Sequence, residues 1–268
     1  MFLDSYVKEI RNLELALQEA FGRLKEGGDG EALHDLRIAV RRIRSLIAPL
    51  RALPENRPLR ETAAAVGRLT TPTRDLEVLA VELQEQRHPI LAKRRRDRLQ
   101  QDYQQIIASA ELQLLFDALR QWPEAFQQSE LGSNSKELKR TIRLAVEKQV
   151  SKLDKAIDDP AYDRHQLRIL VKRTRYLTDA FPSLSPLSAD ASNTLKKVQA
   201  ALGAWHDHFQ WLLRSQQEKD LKVVQQRWSQ AAAEELMAAE KRLRKLARQL
   251  PGGDEKKTGK KKSAKRKR

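Results

Sequence analysis

His34, Arg37, Arg41 and Arg44 stand three, four and three residues apart in the run HDLRIAVRRIRSLI, residues 34–47. At about 100° per residue a helix gathers these four on a stripe about 80° wide. Leu36, Ala39, Val40, Ile43, Leu46 and Ile47 take the opposite side, and Arg42 stands apart from both. Planar guanidinium groups suit two-point contact with phosphate or carboxylate oxygens. A histidine beside them adds a hydrogen-bond donor that gains charge below about pH 6.5. The chemistry this pattern offers is anion binding.

The pattern occurs twice. In HQLRILVKRTRYLT, residues 165–178, His165, Arg168, Lys172 and Arg175 form the stripe, Leu167, Leu170, Val171 and Leu177 form the apolar face, and Arg173 matches Arg42. A solvated helix face is the alternative reading. Such faces usually mix signs to gain pairs between residues four apart, yet no acidic residue lies between Arg37 and Arg51. Unrelieved like charges on one stripe repel, so the stripe destabilises its helix until an anion sits on it.

A second element follows each copy: LTTPTRDLEVL at 69–79 and LGAWHDHFQWL at 202–212. Asp75 lies 41 residues after His34, and Asp207 lies 42 after His165. Two elements at matching separation point to a tandem duplication of a helical unit. The polar stretch QQSELGSNS separates the copies, giving repeats of about 1–130 and 131–250. Apolar periodicity predicts helices near 2–25, 31–53, 57–70, 73–87, 90–109 and 111–121, and then near 135–157, 162–181, 187–203, 206–219 and 221–249. Gly27-Gly28 and the prolines from Pro54 to Pro186 punctuate them.

Composition agrees with an all-α chain large enough to bury a core: 268 residues, 40% hydrophobic and 33% charged, with 10 Gly and 10 Pro. The net charge of +16 points to an anionic partner. Residues 252–268 hold nine Lys/Arg against two acids, and the remainder holds 43 against 34, so the tail alone does not account for the basicity. Segment 251–268 is expected to be a disordered Lys/Arg-rich tail. The absence of cysteine excludes disulfides and thiolate metal sites. The start, MFLDSYVKEI, is amphipathic with an early Asp4 and unlike a signal peptide, and no apolar run approaches the ~20 residues of a membrane span. The expected setting is the cytoplasm.

Through HDLRIAVRRIR and HQLRILVKRTRY, with TRDLEVL and VQAALGAWHD after them, the sequence resembles the CHAD family, the conserved histidine α-helical domain, over residues 1–250. The resemblance implies two similar helical bundles related by a pseudo-twofold, with a basic central groove or channel that binds inorganic polyphosphate. By motif position it implies His34, Arg37, Arg41, Arg42 and Arg44 as ligand residues, with His165, Arg168, Lys172, Arg173 and Arg175 in the second half. Lys196 and Lys197 extend the track. Three features depart from the family pattern. Leu69-Thr70 stands where Leu-Gly is common, His206 stands where the first half has Arg74, and the length leaves no room for a triphosphate-tunnel catalytic domain.

Other constellations carry less. A lone His34 or His165 among arginines is a poor metal site. His206 and His208 of HDH point about 200° apart on a helix, so joint coordination is not expected. Asp75 and Asp207 either favour the positive end of a helix or hold motif arginines. KRRRDR at 93–98 reads as a solvated face, and Trp122, Trp205, Trp211 and Trp228 as core or junction residues. No Gly-rich phosphate loop, paired carboxylates or nucleophile arrangement stands out, so neither an enzyme nor a cofactor is expected. The reading is noncatalytic polyphosphate binding, as a scaffold or targeting module at polyphosphate granules. The alternative is a nucleic-acid-binding protein, with the tail as a weak site. Against it, the stripes lack interleaved aromatics on which bases would stack.

Overall fold

The computed structural model describes residues 2–251, so all but Pro251 of the expected tail lies outside the described residues. Those residues form α-helices and short 3-10 turns, with no strand among them. They fall into two compact units, one ending at Ile142 and one beginning at Arg143.

The first unit contains α1 (Phe2–Glu26), α2 (Ala32–Ile47), α3 (Arg57–Leu69), α4 (Thr71–Glu85), α5 (Pro89–Ile107), α6 (Ala110–Gln127), the short α7 (Glu130–Ser133) and the start of α8 (Ser135–Asp158). Helix α2 packs against α1 and α3, α4 lies along α5, and α6 packs on α3. Leu33, Leu36, Ile43 and Ile47 of α2 are fully buried, together with Ile10, Leu17, Leu59 and Leu79. Each such side chain contributes roughly 1.5–3 kcal/mol by leaving water. That buried face fixes the rotation of α2 and leaves the basic stripe on its other side. The approach to α2 is tied by Arg23, which donates to Asp29 at 2.6 Å and Asp35 at 2.8 Å. Gly27 and Gly28, at φ 75° and 81°, turn the chain out of α1 through conformations that glycine adopts without a Cβ penalty.

The second unit holds the rest of α8, then α9 (Arg164–Ala180), α10 (Ala189–Gln217) and α11 (Gln225–Ala247). Its core joins Val150 and Leu153 of α8, Leu170 and Val171 of α9, Val198 and Leu202 of α10, and Leu243 and Leu246 of α11. Asp163 caps α9 by accepting from the Gln166 amide at 2.8 Å, and Ser188 caps α10 through the Ala191 amide at 3.1 Å. Each cap is worth about 1 kcal/mol.

Several helix boundaries differ from those expected. Helix α6 continues to Gln127 through Pro123. Trp122 and Phe126 stack at 4.7 Å and are 2% and 0% exposed, and their burial offsets the hydrogen bond that proline cannot make. Trp122 also donates to Asn56 at 2.6 Å. Residues 189–217 form one helix where two were expected. Gly203 costs about 1 kcal/mol in a helix interior, but Leu195, Val198, Leu202 and Trp211 bury a continuous side on both sides of it. Helix α2 stops at Ile47 and gives way to a 3-10 turn containing Pro49. A 3-10 stretch over Lys219–Val224 precedes α11. Trp122, Trp211 and Trp228 are buried, and Trp205 packs against the second core.

Candidate anion-binding site

In the first unit the stripe of α2 lies against the junction of α3 and α4. Arg37 Nη1 donates to Thr70 Oγ1 at 2.6 Å and to the Gly67 carbonyl at 3.2 Å. The Arg44 guanidinium crosses the same place: a Cβ on Gly67 would sit 3.0 Å from Arg44 Nη1. Two guanidinium groups thus converge on the last turn of α3, where unsatisfied carbonyls give a helix its negative end. Thr70 is fully buried and its hydroxyl also donates to the Val66 carbonyl at 2.8 Å. The departure at Leu69-Thr70 therefore has a structural use, as the anchor of Arg37.

Arg74 of α4 joins this group. Burial holds the His34 imidazole below its usual protonation range, and Arg74 and Arg41 push the same way against Glu31 and Asp35. Burial also lowers the Arg37 guanidinium from its ordinary value, followed by Arg41 and Arg74, with Asp75 and Glu77 opposing. Five cationic or protonatable groups thus share one site, and Arg37 Nε within it is buried with no hydrogen-bond partner among the described residues. A buried unsatisfied donor among like charges is unfavourable unless an acceptor arrives.

The second unit builds its site between α9 and α10. The His165 and His206 rings lie 5.2 Å apart, tilted by 33°. Arg175 donates to Gln199 and pairs with Asp179 at 3.2 Å. Arg168 and Lys172 are half-buried between them on α9. His206 thus stands by the motif histidine of this unit, as Arg74 does in the other.

Not every expected residue joins these groups. Arg42 pairs with Glu9 of α1 at 2.7 Å, off the stripe, and Arg173 is exposed. Lys196 and Lys197 are exposed on α10. Gln199 and His206 lie within about 20° of each other around that helix, whereas Lys197 is about 160° from Gln199. Asp75, on the first turns of α4, acts on Arg37. Asp207 lies deep inside α10, so the helix-start role does not hold for it; its Oδ1 is 3.6 Å from His206 Nδ1. His208 turns to Glu235 at 2.8 Å, away from the partners of His206. In KRRRDR, Lys93 pairs with Asp97 at 2.8 Å on the surface, but Arg95 is buried, contrary to a fully solvated face. Among the described residues no three His, Asp or Glu are grouped to hold a metal, and no helix is long and apolar enough to cross a membrane.

The sequence alone did not single out Arg74, Gly67, Thr70 or Gln199 as parts of the site. The signal for Arg74 was its place before the repeated aspartate, shared with His206. The others are found only once α3 and α10 are packed.

A CHAD domain profile matches residues 11–214. The fold is similar to the crystal structure of the CHAD domain from the plant Ricinus communis, with a TM-score of 0.65 and 19% identity, over 93% of this chain and 91% of that one. No curated protein matches the chain.

Proposed function

Since the chain belongs to the CHAD domain family, which is associated with polyphosphate binding, we propose that it binds inorganic polyphosphate and does not turn it over. The stripes of α2 and α9 are the ligand surfaces, and their likeness reflects a duplicated helical unit. The observation that carries this reading is the first cluster. His34, Arg37, Arg41, Arg44 and Arg74 are held together although burial and the neighbouring arginines disfavour the charged forms of His34 and Arg37. A chain of phosphates supplies countercharge and an acceptor for Arg37 Nε at once, and binding releases condensed counterions. A bound protein of this kind serves as a scaffold or targeting module at polyphosphate granules.

The test compares long-chain polyphosphate with single-stranded DNA at matched phosphate concentration and about 150 mM salt. It is run on the chain ending at Leu250, on the full chain, and on Arg41→Ala/Lys172→Ala. The expected result is a strong preference for polyphosphate that collapses in the double variant and survives loss of residues 251–268. Equal binding of both polymers, unmoved by the substitutions, would falsify the reading. It would leave a generic basic surface.

A further inference from the structure

A buried carboxylate underlies the first cluster. Glu77 of α4 is 6% exposed, and a different donor occupies each of its oxygens. Arg74 Nη1, one turn earlier on the same helix, donates to Oε2 at 2.7 Å. The Tyr103 hydroxyl of α5 donates to Oε1 at 2.7 Å. Burial, and then this bond to Glu77, push the Tyr103 hydroxyl above its ordinary range, so it stays a donor.

Packing alone does not require a carboxylate here, since an apolar side chain of similar volume would join α4 to α5 without the desolvation that an ion pair suffers. What an apolar residue could not do is hold a guanidinium among like charges. Arg74 is near enough to disfavour the charged forms of both His34 and Arg37. Without a tether, repulsion would turn it toward water. At the matching place in the second unit no glutamate follows: the residue three after His206 is Phe209, which is 41% exposed.

Resting on the reading of the cluster as a phosphate site, we propose that Glu77 and Tyr103 are positioning residues. The buried carboxylate, oriented by the Tyr103 hydroxyl, fixes the Arg74 guanidinium beside His34 and Arg37 as a further ligand for bound phosphate. They act through Arg74 and do not touch the ligand.

The test reads the NMR titration of His34 in the full chain without ligand, where burial and then Arg74 and Arg41 hold its proton affinity down and Glu31 and Asp35 raise it. Glu77→Gln keeps the shape of the side chain and removes its charge. Loss of a nearby negative charge alone would move His34 further down. Release of Arg74 moves it up. The expected result is an upward shift, matched by Arg74→Gln and not exceeded by the double variant, together with polyphosphate binding about tenfold weaker. An unchanged or lowered His34 titration in Glu77→Gln overturns the proposal. Tyr103→Phe leaves the carboxylate in place and should give a smaller upward shift; it decides the matter alone if Glu77→Gln does not fold. Should His34 shift upward in the variants as expected while the wild-type protein binds no polyphosphate, the positioning role stands and the phosphate reading falls.

Discussion

Thr70 Oγ1 accepts a hydrogen bond from Arg37 Nη1 at 2.6 Å while donating its own to the Val66 carbonyl at 2.8 Å. The hydroxyl therefore ties the motif arginine of α2 to the backbone of α3 across a buried junction. Thr70→Val keeps the shape and deletes the tie, leaving part of a buried guanidinium unsatisfied. We expect a loss of about 1–3 kcal/mol in urea unfolding and weaker polyphosphate binding. Gly203→Ala is the contrasting change. Its Cβ meets nothing within 4 Å, so the variant should gain up to about 1 kcal/mol from helix propensity alone.

Acid should weaken the fold through His34. Its folded-state proton affinity is lowered by burial and by Arg74 and Arg41. The unfolded chain therefore takes up the proton first as pH falls through about 6.5, and stability declines from there down to the depressed folded value. Urea midpoints measured between about pH 7.5 and pH 5 should fall less steeply in His34→Gln. Bound phosphate acts in the opposite sense: it favours the imidazolium, so binding should take up protons and tighten on acidification. Calorimetry in buffers of different ionisation enthalpy measures that uptake.

Gly132 is required by close approach. A Cβ there would stand 1.7 Å from the Phe126 carbonyl oxygen, which is backbone and cannot swing aside. Gly132→Ala should cost about 3 kcal/mol or more and lower the melting temperature sharply. Restoration of the wild-type melting temperature by a second substitution in α1 or α2 would argue against a local clash.

Salt dependence can count the charges engaged. If Arg44 contacts phosphate, Arg44→Ala should weaken binding and reduce the slope of log K against log salt by about one. Arg42→Ala, which breaks a pair with Glu9 off the stripe, should leave the slope nearly unchanged.

Most of the architecture was legible in the sequence, since apolar spacing alone orients α2 and α9 and so puts both stripes on the sides opposite their buried apolar faces. Helix ends were less so, because local signals at Pro123 and Gly203 were overridden by the burial of Trp122, Phe126 and Leu202, which only tertiary packing supplies. The motif residues of α2 and α9 were readable as basic stripes. Their neighbours were not: Gly67, Thr70, Glu77 and Tyr103 have no periodic or compositional mark, and they matter through contacts 26 to 33 residues away in the chain. Arg42 shows the converse, a motif position whose charge is drawn to α1.

The continuity of α10 has a mechanical meaning. His206 faces His165 near the start of α9, while Gln199, two turns earlier on α10, meets Arg175 near the end of α9. The order reverses, so the two helices run antiparallel with a contact at either end of the stripe. Had the chain broken at Gly203, as its glycine suggests, each contact could adjust by itself. In one unbroken rod Gln199 and His206 share a single helix axis and face the same side, so the two contacts are not independent. The α9–α10 pair is therefore gripped at two points along a single rod, and a change at one grip strains the other.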